Sequence, residues 1–303
     1  MVYDLIIIGA GPAGLSAAIY ASRYNLNVLV VGDEPGGMAA EAYKVENYPG
    51  FKSVSGMELM NKFKEQVNGL VDIKQEKIIE LKKENNFVIT AKDRVYKSKA
   101  VIVASGTKRR KLNIKGEKEF LGRGVSYCAT CDAAFFRDKV VGVVGGNDAA
   151  AMSALLLAEY AKKVFIIYRK EKIRAEPLRV SQLEKNKKIT IINNTNVIAV
   201  NGDKMMNSVT LDKEFNENKE LALDGLFIEI GSVPSAVLTK KLDIKLDEEG
   251  YIIVDSTKKT NVNGFYAAGD ITTGSNKFRQ IITAASEGAI AAHSVYEFLK
   301  DKS

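Results

Sequence analysis

The run Asp4-Leu5-Ile6-Ile7-Ile8-Gly9-Ala10-Gly11-Pro12-Ala13-Gly14 sets an apolar strand directly before a G-x-G-x-x-G turn, with helical spacing over residues 15–24 and a second strand over 27–31. This pattern restricts the chain to a βαβ unit with parallel strands. Gly9 ends the strand, Gly11 lets backbone approach a pyrophosphate, and Gly14 lets the helix pack closely with its N-terminus toward the anion. An acidic residue normally follows the second strand to accept a ribose hydroxyl. Gly32 occupies that place, so Asp33 and Glu34 just beyond it are the candidates.

The same grammar recurs in Val140-Val141-Gly142-Val143-Val144-Gly145-Gly146-Asn147-Asp148-Ala149-Ala150, followed by a helix to about Tyr160 and a strand over 164–168. Two nucleotide-binding domains are therefore expected. The second strand ends in Tyr168-Arg169-Lys170, with Arg174 further on and no carboxylate before Glu171. Cations there suit a 2′-phosphate and favour NADP over NAD. Asn147 stands where a second glycine would admit the pyrophosphate, and its side chain is expected to crowd that approach.

Between the two turns lie the only cysteines, in Tyr127-Cys128-Ala129-Thr130-Cys131-Asp132. A zinc site needs four ligands, and the one histidine, His293, is far away in sequence, so the pair reads as a redox dithiol. A thiolate at a helix N-terminus gains from the dipole, and Asp132 is the nearest candidate to protonate a leaving sulfur. The other reading of Asp132 is an N-cap of the short helix that follows. His293 is expected on a final helix at a surface or dimer contact.

A chain of 303 residues favours two domains. With 46% hydrophobic and 27% charged residues it can bury a substantial core without disulfide staples. Its 44 Lys and Arg against 37 Asp and Glu are interspersed, which argues against a nucleic-acid interface. No apolar run is long enough to span a bilayer, and Asp4 with the glycine turn behind it argues against a signal peptide. A cytoplasmic protein is expected. Residues 55–70 read as a helix packing Met57, Leu59, Met60, Phe63 and Val67. Residues 78–96 read as a small antiparallel layer, and 100–106 as a separate buried strand ending beyond Ala104 at Gly106. The charged stretch 107–115 is a crossing linker, a second crossing is expected near residues 231–235, and residues 264–270 close one more strand. The fold class is α/β: two Rossmann-like three-layer (ββα) domains, the second inserted into the first.

Taken in order, these motifs resemble the low-molecular-weight thioredoxin reductases over nearly the whole chain. Gly9, Gly11, Pro12, Ala13 and Gly14 resemble that family's FAD pyrophosphate loop. Gly36-Gly37-Met38 and Glu46-Asn47-Tyr48-Pro49-Gly50-Phe51 resemble its flavin-flanking segments, and Cys128-Ala129-Thr130-Cys131-Asp132 its redox motif. Gly269-Asp270 resembles the ribityl and phosphate site, and Arg279-Gln280 with Thr283-Ala284-Ala285 the segment closing over the isoalloxazine. The resemblance implies a homodimer, an FAD domain of residues 1–111 and 238–303 that includes Ala104 and Gly106, and an inserted pyridine-nucleotide domain of 112–237. The inserted domain would bind its nucleotide through Gly145, Gly146, Asn147, Asp148, Ala149, Arg169, Lys170 and Arg174. Relatives of this kind show three glycines followed by Asp-Ser-Ala, a later acidic pair and His-Arg-Arg. Here stand Gly145-Gly146-Asn147-Asp148-Ala149-Ala150, Met152-Ser153 and Tyr168-Arg169-Lys170.

The implied activity carries two electrons from NADPH through FAD to the Cys128–Cys131 disulfide, and on to thioredoxin or a glutaredoxin-like protein. By the same resemblance Cys131 faces the flavin and attacks the partner, Cys128 resolves, and the domains rotate about Pro234 and residues 107–115. NADH, ferredoxin and reduced deazaflavin remain alternative donors, and a peroxidase an alternative acceptor. A related ferredoxin–NADP reductase would lack the C-x-x-C, while a non-enzymatic dithiol sensor would have no need of the flavin segments.

Overall fold

Leu5 and Ile7 point to one side of the first strand, β1 (Val2–Ile8), and Ile6 and Ile8 to the other, and all four are buried. A strand with two buried faces belongs in the middle of a parallel sheet. In the computed structural model, which describes residues 1–42, 44–92, 94–235 and 242–301, β1 pairs in parallel with β2 (Val28–Val31) and with a later strand on its other side. The sheet continues from β2 to β3 (Asp72–Lys74). On the other side come β4 (Ile78–Lys83), β5 (Phe87–Ala91) and β6 (Arg94–Val103), so that seven strands run in the order β3-β2-β1-β6-β5-β4 with Phe265–Ala267 also on β6.

The ten-residue β6 corrects the expectation of two separate strands. Residues 94–98 pair antiparallel with β5, and residues 97–103 pair in parallel with β1. One face of this sheet packs on α1 (Pro12–Arg23) and the last helix, Ile281–Lys300. The other face collects Phe87, Ile89, Leu81 and Phe265. The helix α2 (Gly56–Val67) buries Leu59, Met60 and Val67, but Met57 is 56% exposed, against the expectation that it packs inward.

The chain divides into two units: Met1–Lys108 with Val233–Ser303, and Arg109–Ser232. The first division comes ahead of the expected 111/112 boundary, and the expected 237/238 boundary lies outside the described residues. Both crossings are strands, β7 (Thr107–Arg109) and Ser232–Pro234, hydrogen-bonded to each other as a two-stranded ribbon.

Unit 2 opens on β8 (Val125–Ser126) and the one-turn helix α3 (Ala129–Asp132). Then come β9 (Val140–Val144), α4 (Asp148–Tyr160), β10 (Lys163–Ile167), α5 (Pro177–Lys185) and β11 (Ile189–Ile192). With β12 (Val197–Gly202), β13 (Met206–Phe215), β14 (Asn218–Ala222) and β15 (Gly225–Ile228), they form a parallel sheet β11-β10-β9-β15-β8 and an antiparallel sheet β12-β13-β14. Val141 and Val143 face the helix layer, while Val140 and Val144 face the antiparallel sheet. This is the expected three-layer arrangement.

Candidate active site

In unit 1 the turn after β1 is fixed by contact, not by composition. Gly9 has φ +114°, and a Cβ there would overlap the carbonyl oxygen of Ala104, whose N–H donates to Ile8 O at 2.7 Å. A Cβ on Gly14 would overlap the Gly9 carbonyl oxygen, so α1 starts against the turn with Pro12 in its first turn. Gly11 is the N-cap and has no side chain with which to cap, leaving the first N–H groups of α1 to an incoming anion. Gly36 N–H donates to Ala10 O at 2.8 Å, which brings the Gly36-Gly37 segment beside the turn. Asp33 and Glu34 are both exposed beyond β2, and Met38 accepts from Thr107 Oγ1 at 3.6 Å.

The remaining candidates of unit 1 converge from distant parts of the sequence. Asn47 Nδ2 donates to Gln280 Oε1 at 3.0 Å. Gln280 also caps the last helix in a capping box with Thr283. The Arg279 guanidinium lies 3.9 Å from the centre of the Tyr251 ring, and its Nε and Nη2 are buried without a hydrogen-bond partner. Asp270, at the end of the Gly269 turn, has its carboxyl pushed up to about 6: burial is the main cause, Glu287 adds to it, and Arg279 opposes it. Gly106 sits just past β6 with φ +59°.

In unit 2 Cys128 and Cys131 form a disulfide with Cα atoms 5.3 Å apart. Cys128 is the N-cap of α3, and its sulfur accepts from Cys131 N–H at 3.1 Å. Ser126 Oγ accepts from Cys128 N–H at 2.9 Å. The preceding Tyr127 donates to Glu117 at 2.5 Å, and the same carboxylate accepts from Leu112 N–H at 2.9 Å. That carboxylate holds the start of the unit to the redox turn. Cys131 is exposed and Cys128 half-buried. Asp132 stands at the N-cap of the 3-10 turn Ala133–Phe136, yet its side chain makes no capping bond, which removes the cap reading.

The second glycine turn copies the backbone of the first, with Gly145 N–H donating to Ile167 O at 3.1 Å as Gly9 N–H does to Val31 O at 2.8 Å. Asn147 Oδ1 folds back to accept from Ala150 N–H at 3.0 Å, making it the N-cap of α4. Asp148 Oδ1 accepts from Glu176 N–H at 2.6 Å, and Arg174 N–H donates to Gly146 O at the same distance. Arg169, Lys170 and Arg174 are exposed just past β10, and Ala149 follows in the first turn of α4. Where the acidic pair is missing, Ser153 Oγ donates to Glu229 Oε1 at 3.0 Å, and Arg109 pairs with Glu229 Oε2 at 3.0 Å. His293 is exposed, with Nδ1 3.0 Å from the Tyr24 hydroxyl.

A dithiol and two dinucleotide turns in one chain point to a single class of redox protein, and residues 3–288 match the family described as pyridine nucleotide-disulphide oxidoreductase. The chain belongs to this family. Among its pyridine nucleotide-disulphide oxidoreductase relatives, the thioredoxin reductase of Treponema pallidum (strain Nichols) is 43% identical over 302 residues, covering 98% of this chain and 97% of that one. That of Bacillus subtilis (strain 168) is 41% identical, covering 99% and 96%. The solved structure of Lactococcus lactis thioredoxin reductase, 37% identical, matches with a TM-score of 0.94 over 99% of both chains. Oxidoreductases of this family use a flavin and a pyridine nucleotide, and unit 1 fits a large anionic cofactor. It offers an uncapped helix N-terminus, a partnerless buried guanidinium edge, and a carboxyl that burial makes easier to protonate.

Sequence reading missed Glu287, Tyr251 and Ser126. Glu287 stands among the alanines in the first half of the last helix, and a carboxylate on that inward face was its only local signal.

Proposed function

We propose that this oxidoreductase is a thioredoxin reductase that binds FAD in unit 1 and NADPH in unit 2 and reduces the disulfide of thioredoxin or a similar small protein. The observation that carries the reading is the Cys128–Cys131 disulfide, with Cys131 exposed, set at a helix N-terminus in the same unit as a dinucleotide turn. A flavin bound in unit 1 supplies the two-electron relay between nicotinamide and disulfide. Gly11 and the first N–H groups of α1 would hold its diphosphate, and Asp270 and Arg279 its polar chain. Asn47 and Gln280, already joined, would flank its ring. Arg169, Lys170 and Arg174 would take the 2′-phosphate of NADPH.

Once reduced, Cys128 as a thiolate keeps the N–H of Cys131 and the dipole of α3. Cys131, the exposed sulfur, passes its proton to the Cys128 thiolate, attacks one sulfur of the partner disulfide and expels the other, with Asp132 the nearest group to relay that sulfur a proton from solvent. Cys128 then attacks Cys131 Sγ, re-forming the disulfide and releasing the second partner thiol. Phe135, 73% exposed beside the redox turn, gives a protein partner an apolar contact that a small thiol cannot use. The chemistry suits the cytoplasm, a compartment where thiols are kept reduced, and the homodimer follows from the likeness to thioredoxin reductases alone. Among the described residues, no helix is long and apolar enough to cross a membrane.

The test is anaerobic stopped-flow bleaching of the flavin with NADPH, NADH, reduced ferredoxin and reduced deazaflavin in parallel. NADPH is expected to be fastest. Bleaching by ferredoxin or deazaflavin alone would replace the donor, and inertness toward all four would revive the sensor reading.

A further inference from the structure

Tyr168 follows β10 where that strand passes the second glycine turn, and its backbone is held on both sides. Its N–H donates to Ile192 O at 2.8 Å, and its carbonyl accepts from Thr195 N–H at 3.1 Å. The residue is 4% exposed, and its hydroxyl is buried with no hydrogen-bond partner. A buried phenol in that state has given up water and received nothing in exchange, a situation that folded proteins rarely leave standing.

The ring lies along the turn itself. A Cβ on Gly146 would fall 2.5 Å from the ring carbons Cδ2 and Cε2 and 2.6 Å from Cζ, so the hydroxyl on Cζ sits beside the turn. Gly146 has no left-handed φ, and what excludes a side chain there is this ring. Unit 1 distributes the bulk in the opposite way. Gly32 takes the place of Tyr168 after β2, and Ala10 that of Gly146, with a Cβ on Gly32 only 2.9 Å from Ala10 N. Unit 2 has thus given up a side chain in its turn to admit a phenol, and then left that phenol unpaired.

We propose that the Tyr168 hydroxyl is a binding group for the pyridine dinucleotide, donating a hydrogen bond to its diphosphate at the turn of Gly145, Gly146 and Asn147. The proposal rests on the reading of unit 2 as the nucleotide site. The turn leads into the thirteen-residue α4, whose N-terminus favours an anion, and Asn147 caps only Ala150 N–H, leaving earlier N–H groups for the same diphosphate. The diphosphate is common to NAD and NADP, so Tyr168 sets affinity for the dinucleotide as a class, while Arg169 and Lys170 serve the 2′-phosphate.

The experiment uses the full-length flavin-loaded protein and its Tyr168→Phe variant, titrated calorimetrically with NADP+ and with NAD+, together with thermal unfolding in the absence of nucleotide. Both dissociation constants should rise by the same factor, about ten- to a hundredfold for one hydrogen bond to a charged group. The unfolding midpoint without nucleotide should hold or rise, because phenylalanine removes the unpaired hydroxyl. Unchanged affinity for both nucleotides, or a loss confined to NADP+, would overturn the proposal while leaving the nucleotide reading intact. Wild-type protein that binds neither nucleotide would overturn both. Tyr168→His keeps a ring N–H donor and should lose less affinity than Tyr168→Phe; equal loss in the two variants would count against a hydrogen bond and overturn the proposal.

Discussion

Lys258 Nζ and Glu287 Oε1 stand 3.2 Å apart in unit 1, with side chains only 8% and 4% exposed. Ser275 Oγ donates to the same oxygen at 2.7 Å, while Gly269 N–H and Thr272 Oγ1 donate to Oε2 at 2.8 and 3.0 Å. One carboxylate thereby ties the last helix to the loop that carries Asp270. The near-isosteric substitution Glu287→Gln leaves an uncompensated buried ammonium and turns one acceptor into a donor. A loss of about 3–5 kcal/mol is expected, read from the urea midpoint, with weaker flavin retention alongside.

Asp270 makes the flavin-free protein pH-sensitive. Its carboxyl is raised from 3.8 to about 6 in the folded chain, so the folded state binds the proton more tightly than the unfolded one. That stabilisation is complete below pH 3.8 and is lost as pH climbs through about 6. Asp270→Asn should flatten this part of the stability curve, by roughly 3 kcal/mol between the two limits. Thermal midpoints of both proteins from about pH 4 to 7 check it, and parallel curves would mean that Asp270 is not the group.

Asn147 holds its side chain on its own helix, where Oδ1 accepts from Ala150 N–H. Asn147→Gly should change NADPH affinity less than about threefold, whereas Asn147→Ala should cost about 1 kcal/mol of stability by deleting the cap. Fluorescence titration and denaturant unfolding give the two readouts.

Arg169→Ala should raise the KM for NADPH by about ten- to a hundredfold, the worth of a charge-assisted contact to phosphate. The KM for NADH and the kcat with either donor should barely move. Equal effects on both donors would point to a contact away from the 2′-phosphate.

Cys128→Ser should still allow rapid flavin bleaching by the electron donor but should abolish turnover with thioredoxin. Turnover at the wild-type rate in that variant would take the dithiol out of the reaction.

What could be read along the chain was local. Gly14 is fixed by a contact within the turn itself, and Cys128 and Cys131 lie on one short helix, so their spacing carries their geometry. Arg94 to Val103 was harder, because its pattern changes partway from alternating to continuously apolar. Periodicity alone breaks the strand at that change, whereas the strand itself runs on from a half-exposed antiparallel edge into a parallel sheet buried on both faces. Met57 follows the helical period but sits in the first turn of α2, on the side turned to solvent. Glu287 gave only a faint local sign and Tyr168 none, since the partners of one lie in preceding loops and the ring of the other fills space left by a glycine beyond a different strand.

The hydrogen-bonded pair of crossings, Thr107–Arg109 with Ser232–Pro234, also decides how costly an inserted unit is to its host. Entry and exit lie side by side, so unit 1 meets the insertion as it would meet a hairpin stem. The entropy of closing such an excursion grows only with the logarithm of its length. Assembly of the outer unit is then nearly indifferent to how large the inner one is, and a short turn bridging the stem would leave the host sheet with every one of its strands.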